Sequence, residues 1–186
     1  MKILTYNIAG NKGLRRPDHL QRIAELILQS NADVVGLQEV AHRHGARKDP
    51  EQLLCELTGM HAEYLPAHRH RDHELGNVVL CRQPIARAVS HELPHTWPER
   101  RVLLEVETNS SDGLPITVFC THLVHLAQAG RRIRLVQATA VAKWMSACAR
   151  PHVLVGDLNA SPQASELHPV RKVCVRGDHL TGLRSW

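Results

Sequence analysis

The sequence of 186 residues has few aromatic side chains, no closely spaced cysteines and no long apolar run. Aromatic residues make up 3% of the chain, which is too few to predict a platform for stacking nucleic-acid bases. The five cysteines are odd in number and far apart, so neither a disulfide framework nor paired zinc spacing is present. We therefore expect a reducing, cytoplasmic location. No run reaches the roughly 18 apolar residues of a membrane span, so we predict no membrane insertion.

What the chain contains is typical of a globular protein, with 43% hydrophobic and 22% charged residues. The length and the lack of a long linker predict a single domain over residues 1–186, which we expect to be a monomer. The formal net charge of +5 suits a polyanionic partner such as nucleic acid, although simple solubility explains it with fewer assumptions.

Strand and helix patterns alternate at first and then give way to consecutive strands. A strand pattern at Lys2–Ile8 precedes a helix that begins at Asp18, and a second short strand is predicted at Asp33–Leu37. The next helix begins at Asp49, which precedes a proline, and ends at Gly59. Further strands are predicted at His61–Leu65, Asn77–Cys81, Ile85–Leu93, Val102–Thr108, Ile116–His122 and His152–Val155. This order predicts two packed sheets with helices outside.

Three further features of the sequence carry predictions, and two of them allow an alternative interpretation. The long helix predicted at Gly130–Cys148 is expected to bury an apolar face that includes Val136 and Trp144. The run His68–His73 is interpreted as a solvated loop, with a loop that grips phosphate or attracts metal as the alternative. Arg101 is a candidate for binding a substrate phosphate, and a surface salt bridge explains it equally well.

Four predicted strands end in side chains that could bind a metal ion or a phosphate. These residues are Asn7, Glu39, His122 and the pair Asp157 and Asn159. Sites on layered α/β scaffolds commonly lie where strands meet loops. Carboxylates, amides and a histidine, without cysteine, suit Mg²⁺ or Mn²⁺ better than structural zinc.

Taken together, five motifs in this order resemble the endonuclease/exonuclease/phosphatase superfamily of metal-dependent phosphoesterases. The motifs are Thr5-Tyr6-Asn7-Ile8, Val34-Val35-Gly36-Leu37-Gln38-Glu39-Val40, Gly76-Asn77-Val78-Val79-Leu80-Cys81-Arg82, Thr121-His122-Leu123 and Gly156-Asp157-Leu158-Asn159. The resemblance covers residues 1–162. It implies a four-layer α-β-β-α sandwich in which two mixed β-sheets are flanked by helices.

The resemblance also implies a role for each site residue. Glu39 would be the principal metal ligand, and Asn7 would lie near the metal and the scissile phosphate. Asp157 would orient and deprotonate the attacking water, and Asn159 would bind a phosphate oxygen. His122 would stabilise the transition state or assist the leaving group. The implied cofactor is Mg²⁺ or Mn²⁺.

The segment 163–186 is atypical of this superfamily. Its members continue after the Gly156–Asn159 motif through further strands, with an aspartate metal ligand and a terminal Asp-His motif. Asp178 and His179 resemble that last motif, but the strand with the aspartate is not recognisable, so we expect C-terminal strands to be missing. Such a shortened sandwich would have an unpaired sheet edge, marginal stability and low activity.

The sequence therefore predicts a metal-dependent phosphoesterase in which an activated water attacks a phosphodiester or phosphomonoester in line. A nuclease-type substrate is slightly favoured by the basic charge balance. The alternatives are a phosphatase or phosphodiesterase acting on a small or lipid phosphate, and a truncated, non-catalytic member of the fold.

Overall fold

The protein forms two four-stranded β-sheets that pack face to face, with helices on both outer faces. The structure is a computed structural model, and it describes residues 1–10, 18–94, 100–126 and 129–175. The strands are β1 Ile3–Asn7, β2 Val34–Arg43, β3 His61–Arg69, β4 His73–Cys81, β5 Arg87–Leu93, β6 Arg101–Asn109, β7 Pro115–His122 and β8 His152–Asp157. The helices are α1 His19–Ser30, α2 Pro50–Thr58, α3 Gly130–Ala147 and the short α4 His168–Arg171, which follows a 3₁₀ turn at Ser165–Leu167.

Each sheet contains one parallel pair of strands at one of its edges. The strand order is β1-β2-β4-β3 in the first sheet and β5-β6-β7-β8 in the second. Strand β1 runs parallel to β2, and β7 runs parallel to β8, whereas the other pairs are antiparallel. The predicted sandwich of two mixed sheets flanked by helices is confirmed.

Alternation along the strands divides the apolar core into three layers. In β2, Val35 and Leu37 face the outer helices α1 and α2, whereas Val34 faces the second sheet. In β7, Phe119 packs below α3, whereas Cys120 lies between the sheets. Because successive strand residues point to opposite faces, both sheets bury both of their surfaces.

The helices begin and end at residues suited to these positions. Pro50 starts α2, where its missing N–H costs no hydrogen bond, and Gly59 ends it with a left-handed φ of 70°. Helix α1 is capped at its carboxyl end by Asn31, whose φ of 51° is left-handed. In the described parts of the chain, no helix combines the length and the apolar character needed to cross a membrane.

The orientation predicted for α3 is wrong. Val136 is 51% exposed and Trp144 is 41% exposed, and the Trp144 ring stacks on His91 at the surface. The helix instead buries a face that includes the polar residues Arg134 and Gln137. These two side chains are buried because each makes hydrogen bonds inside the protein, which apolar periodicity does not detect.

The run at residues 68–73 is also not the predicted loop. His68 and Arg69 belong to β3, and His73 begins β4, so the two strands form a hairpin with a tight turn. The backbone N–H of His70 donates to the carbonyl of His73 across that turn. As a result, the hairpin places two side chains of this run, His68 and His70, in the lining of a cavity that Glu39 also lines.

Candidate active site

The predicted site residues meet at the seam between the two sheets. Asn7 at the end of β1 pairs with Gln38 of β2, and His122 at the end of β7 pairs with Asp157 of β8. Since both pairs are parallel, the carboxyl ends of β1, β7 and β8 lie at the same side of the sandwich, next to the middle of β2. Side chains from distant parts of the chain are thereby brought within hydrogen-bond distance.

Asn7 links the two carboxylates of the site. Its Nδ2 atom donates to Oε1 of Glu39 at 3.0 Å and to Oδ2 of Asp157 at 3.1 Å. Its Oδ1 atom accepts from the backbone N–H of Ala9 at 3.0 Å, which fixes the orientation of the amide. One amide group therefore holds the carboxylates of the first and the second sheet next to each other.

Glu39 does not lie at a strand end, as predicted, but at an irregularity within β2. The pairing of β2 with β4 shifts register between Leu37 and Val40. At this point Glu39 adopts a φ of 55°, a left-handed conformation that is uncommon for a residue other than glycine. Such bulges redirect a side chain, and strained backbone of this kind clusters at functional sites.

The turn after β8 fixes the second carboxylate and the amide that follows it. The backbone N–H of Asn159 donates to Oδ1 of Asp157 at 3.0 Å, and Asn159 has a left-handed φ of 49°. Nδ2 of Asn159 donates to the Leu123 carbonyl and lies 2.9 Å from Nε2 of His122. The same nitrogen of His122 lies 3.8 Å from Oδ2 of Asp157. His122 is therefore held between Asp157 and Asn159.

Two glycines allow the strands to approach each other closely around this site. Gly156, which precedes Asp157, has a φ of 148°, and a Cβ atom there would collide with the Thr121 carbonyl. Gly36 lies at the interface of the sheets, where a Cβ atom would be 2.5 Å from Cγ2 of Val155. A side chain at either position would push apart strands that present the reactive groups.

A cavity of about 240 Å³ opens beside the site. Its lining includes Glu39 and His122 on the side of the reactive groups, and Arg101, His68 and His70. Arg101 therefore lies in the same cavity lining as the two site residues.

Sequence reasoning missed Asn77 as a site residue, and it gave the His68–His73 run a role near the site only as an alternative. Asn77 lines the cavity and is 1% exposed, and no described residue is a hydrogen-bond partner of its buried Nδ2 atom. His68 and His70 line the same cavity. The signal for Asn77 was its place in the Gly76–Arg82 motif, and the signal for the histidines was the dense His68–His73 run.

The donor set fits a divalent cation that completes its coordination with other oxygens. In the described residues, no three His, Cys, Asp or Glu side chains form a group able to hold a metal ion alone. Glu39 and Asp157 nevertheless each accept a hydrogen bond from the side-chain amide of Asn7. Mg²⁺ is usually bound through one or two carboxylates, with waters and substrate phosphate as the other ligands.

The structure thus brings together Asn7, Glu39, His122, Asp157 and Asn159, and places Arg101 in the adjoining cavity. Asp178 and His179 lie outside the described residues. The carboxylates, amides and histidine match the chemistry of phosphate ester hydrolysis, in which charge on phosphoryl oxygens must be stabilised while water is activated.

Comparison with solved structures finds the same fold in several proteins. An endonuclease/exonuclease/phosphatase protein from Beutenbergia cavernae is 26% identical with a TM-score of 0.71, over 89% of this chain and 50% of its own. ANGEL2, described as a 2',3'-cyclic phosphatase, is 21% identical with a TM-score of 0.71, over 92% of this chain and 56% of its own. A mannosyl-6-phosphatase from Bacteroides thetaiotaomicron is 17% identical with a TM-score of 0.67, over 92% and 70% of the two chains.

The chain thus spans about half the length of the first two of these structures. No curated protein sequence matches it. The family model described as the endonuclease/exonuclease/phosphatase family matches residues 4–172, which is most of the chain. The chain therefore belongs to the endonuclease/exonuclease/phosphatase family.

Proposed function

We propose that this protein is a metal-dependent phosphoesterase that hydrolyses its substrate by direct in-line attack of water, without a covalent intermediate. The observation that carries this proposal is the amide of Asn7, which donates to Glu39 and Asp157 at once. Two carboxylates this close repel each other unless a donor or a cation lies between them. The carboxylates of Glu39 and Asp157 can therefore bind a cation between them, and one of them can accept a proton from a water molecule.

Each residue of the candidate site has a distinct role in the proposed reaction. Asp157, whose Oδ1 is fixed by the Asn159 N–H, orients the attacking water and accepts its proton. Asn159 and His122 hold nonbridging oxygens of the phosphoryl group, and His122 assists departure of the leaving group. Glu39 would hold Mg²⁺ or Mn²⁺, and Asn7 orients the Glu39 carboxylate for that ion. The ion when bound would polarise the phosphoryl oxygen and stabilise developing charge.

The substrate is proposed to be a phosphodiester of nucleic-acid type. The net charge of +5 and the cavity wall with Arg101 favour a polyanionic substrate. ANGEL2 and the mannosyl-6-phosphatase carry names that refer to phosphate ester hydrolysis, which supports the reaction class. Five free cysteines, two of them buried, fit action in a reducing compartment such as the cytoplasm.

The decisive experiment compares hydrolysis by the wild type and by Asp157→Asn at saturating Mg²⁺ or Mn²⁺, on single-stranded DNA, RNA and small phosphate esters. The loss of a general base is expected to reduce turnover by about 100-fold or more. Asp112→Asn is the matched control, because Asp112 is exposed in the turn between β6 and β7. Equal rates for wild type and Asp157→Asn would remove Asp157 from the mechanism.

Metal binding is tested separately from turnover. Glu39→Gln is expected to weaken the binding of Mn²⁺, measured by water-proton relaxation, and to raise the Mg²⁺ concentration needed for half-maximal activity. If metal affinity is unchanged, Glu39 is not a ligand. If no substrate in the panel is hydrolysed by the wild type with either metal, the chain is a non-catalytic member of the family.

A further inference from the structure

The histidines of the β3–β4 hairpin, His68 and His70, form one side of the cavity that opens onto the reactive groups. From this arrangement we infer a second phosphate subsite, formed by His68, His70 and Arg101, that binds a phosphate next to the one hydrolysed. This inference rests on the proposed function, because it assigns the reacting phosphate to the part of the cavity lined by Glu39 and His122. The preferred substrate class would be phosphoesters that carry two neighbouring phosphates.

The cavity has the size and the chemistry for an additional anion. With about 240 Å³, it has room for a group larger than one phosphoryl unit. Its lining combines the site residues Glu39 and His122 with three side chains that can donate to an anion, Arg101, His68 and His70. A guanidinium is suited to bidentate contacts with phosphate, and imidazole N–H groups add single donors.

Two polar atoms in the cavity lining are buried without a partner among the residues that the structure describes. They are Nε2 of His70 and Nδ2 of Asn77. Asn77 is 1% exposed. A buried polar group without a partner destabilises the folded protein, so such groups are rare unless water or a ligand satisfies them. Both residues line the cavity, and an imidazole N–H and an amide NH₂ are groups that donate to phosphate oxygens.

The hairpin holds its histidines in place before a ligand arrives. The rings of His68 and His70 contact edge to face at 4.6 Å, and the rings of His70 and His73 stack at 4.4 Å. Nδ1 of His73 pairs with Asp72 at 2.8 Å. Because three rings support one another, His70 loses little freedom when an anion binds, which favours affinity.

A transition-metal site is the obvious alternative for three neighbouring histidines, and the geometry disfavours it. Among the described residues, no three metal-binding side chains converge on one point. Burial, together with His73 and His68, lowers the pKa of His70. A bound phosphate would offset this electrostatic cost by placing negative charge beside the rings.

The test measures binding without metal, so that it does not depend on turnover. Wild type, His70→Gln and His68→Gln are titrated in EDTA with adenosine 3',5'-bisphosphate, adenosine 5'-monophosphate and a 5'-phosphorylated dinucleotide, and histidine C2 proton shifts are followed by NMR. The matched control is His61→Gln, since His61 is exposed at the other end of the same strand. Circular dichroism checks that each variant is folded.

We expect the wild type and His61→Gln to bind the bisphosphate about 10-fold more tightly than the monophosphate, and both cavity variants to lose this preference. Tight binding of the dinucleotide as well would identify a nucleic-acid strand as the source of the second phosphate, whereas binding of the bisphosphate alone would identify a small molecule. Equal affinity of the wild type for bisphosphate and monophosphate overturns the subsite, even if hydrolysis occurs. A parallel assay with Mg²⁺ tests the proposed function separately. If no hydrolysis occurs there, the proposed function is refuted, whereas the binding data still decide whether the second phosphate subsite exists.

Discussion

Replacing Glu166 by glutamine is expected to destabilise the protein through one buried ion pair. Glu166 and Arg134 are each 5% exposed, and Oε1 of Glu166 accepts from Nη2 and Nε of Arg134 at 3.1 and 3.4 Å. Arg134 also donates to the Val124 carbonyl at 3.2 Å, just after the strand that ends at His122. The ion pair therefore links α3, the 3₁₀ turn and the loop after β7.

The expected change in the free energy of unfolding depends on which interactions of Glu166 a glutamine retains and which it loses. The glutamine oxygen can still accept from Arg134, so the shape and one neutral acceptor remain. The charge-assisted part of the interaction is lost, while the Arg134 charge remains shielded from water. We expect the free energy of unfolding to fall by about 1–3 kcal/mol.

The pH dependence gives a second check. The backbone hydrogen bond and then the pairing with Arg134 and Arg131 hold the pKa of Glu166 below its ordinary value. A depressed pKa stabilises the folded protein at pH values above the ordinary pKa of glutamate, about 4.3, and the contribution is lost as the pH falls further. The difference between wild type and Glu166→Gln should therefore shrink between pH 7 and pH 3.

Urea unfolding followed by circular dichroism measures this difference at both pH values. Glu56→Gln is the control, because the pair of Glu56 with Lys48 is exposed and should contribute less than about 1 kcal/mol. If Glu166→Gln changes stability no more than Glu56→Gln does at pH 7, the ion pair does not stabilise the fold.

Three further outcomes follow from the seam between the sheets. Gly36→Ala should lower the free energy of unfolding by about 1–3 kcal/mol in urea titration, because its Cβ would overpack against Val155; unchanged stability would show that the sheets can separate slightly. Burial raises the pKa of the Cys81 and Cys120 thiols to about 12, so a disulfide reagent at pH 8 should modify them only after unfolding, as mass spectrometry can establish. Asn7→Ala should reduce turnover by about 100-fold in a steady-state assay while stability changes little, since the two carboxylates lose their shared donor; a similar loss of stability would make Asn7 a structural residue.

The architecture was predictable because local patterns and layer packing point to the same arrangement. The buried runs of β2 and β7 and the proline and glycine that bound α2 are visible in the sequence. The face of α3 was not predictable, since Gln137 is buried only because it bonds to Val124 and to Pro94. Both partners are far from Gln137 in the sequence, so the apolar periodicity of the helix gives no sign of these hydrogen bonds.

The members of the candidate site were predictable from ordered motifs, but their geometry was not. The sequence places Glu39 at a strand end, whereas a register shift within β2 gives it a left-handed backbone. Register shifts depend on the partner strand, which the sequence does not specify locally. The histidine run was interpreted as a loop for the same reason, because pairing of Arg69 with Glu74 extends both strands.

Strand order has a practical consequence, because each sheet is made from a continuous stretch of chain. Strands β1–β4 form the first sheet and β5–β8 the second, joined through residues 82–86. Asn7 and Glu39 belong to the first half, whereas His122 and Asp157 belong to the second. A chain cut at this connection would yield two fragments, neither of which contains a full set of reactive groups. Restored hydrolysis on mixing them would then report that the two sheets have associated, which makes the fold suited to fragment complementation.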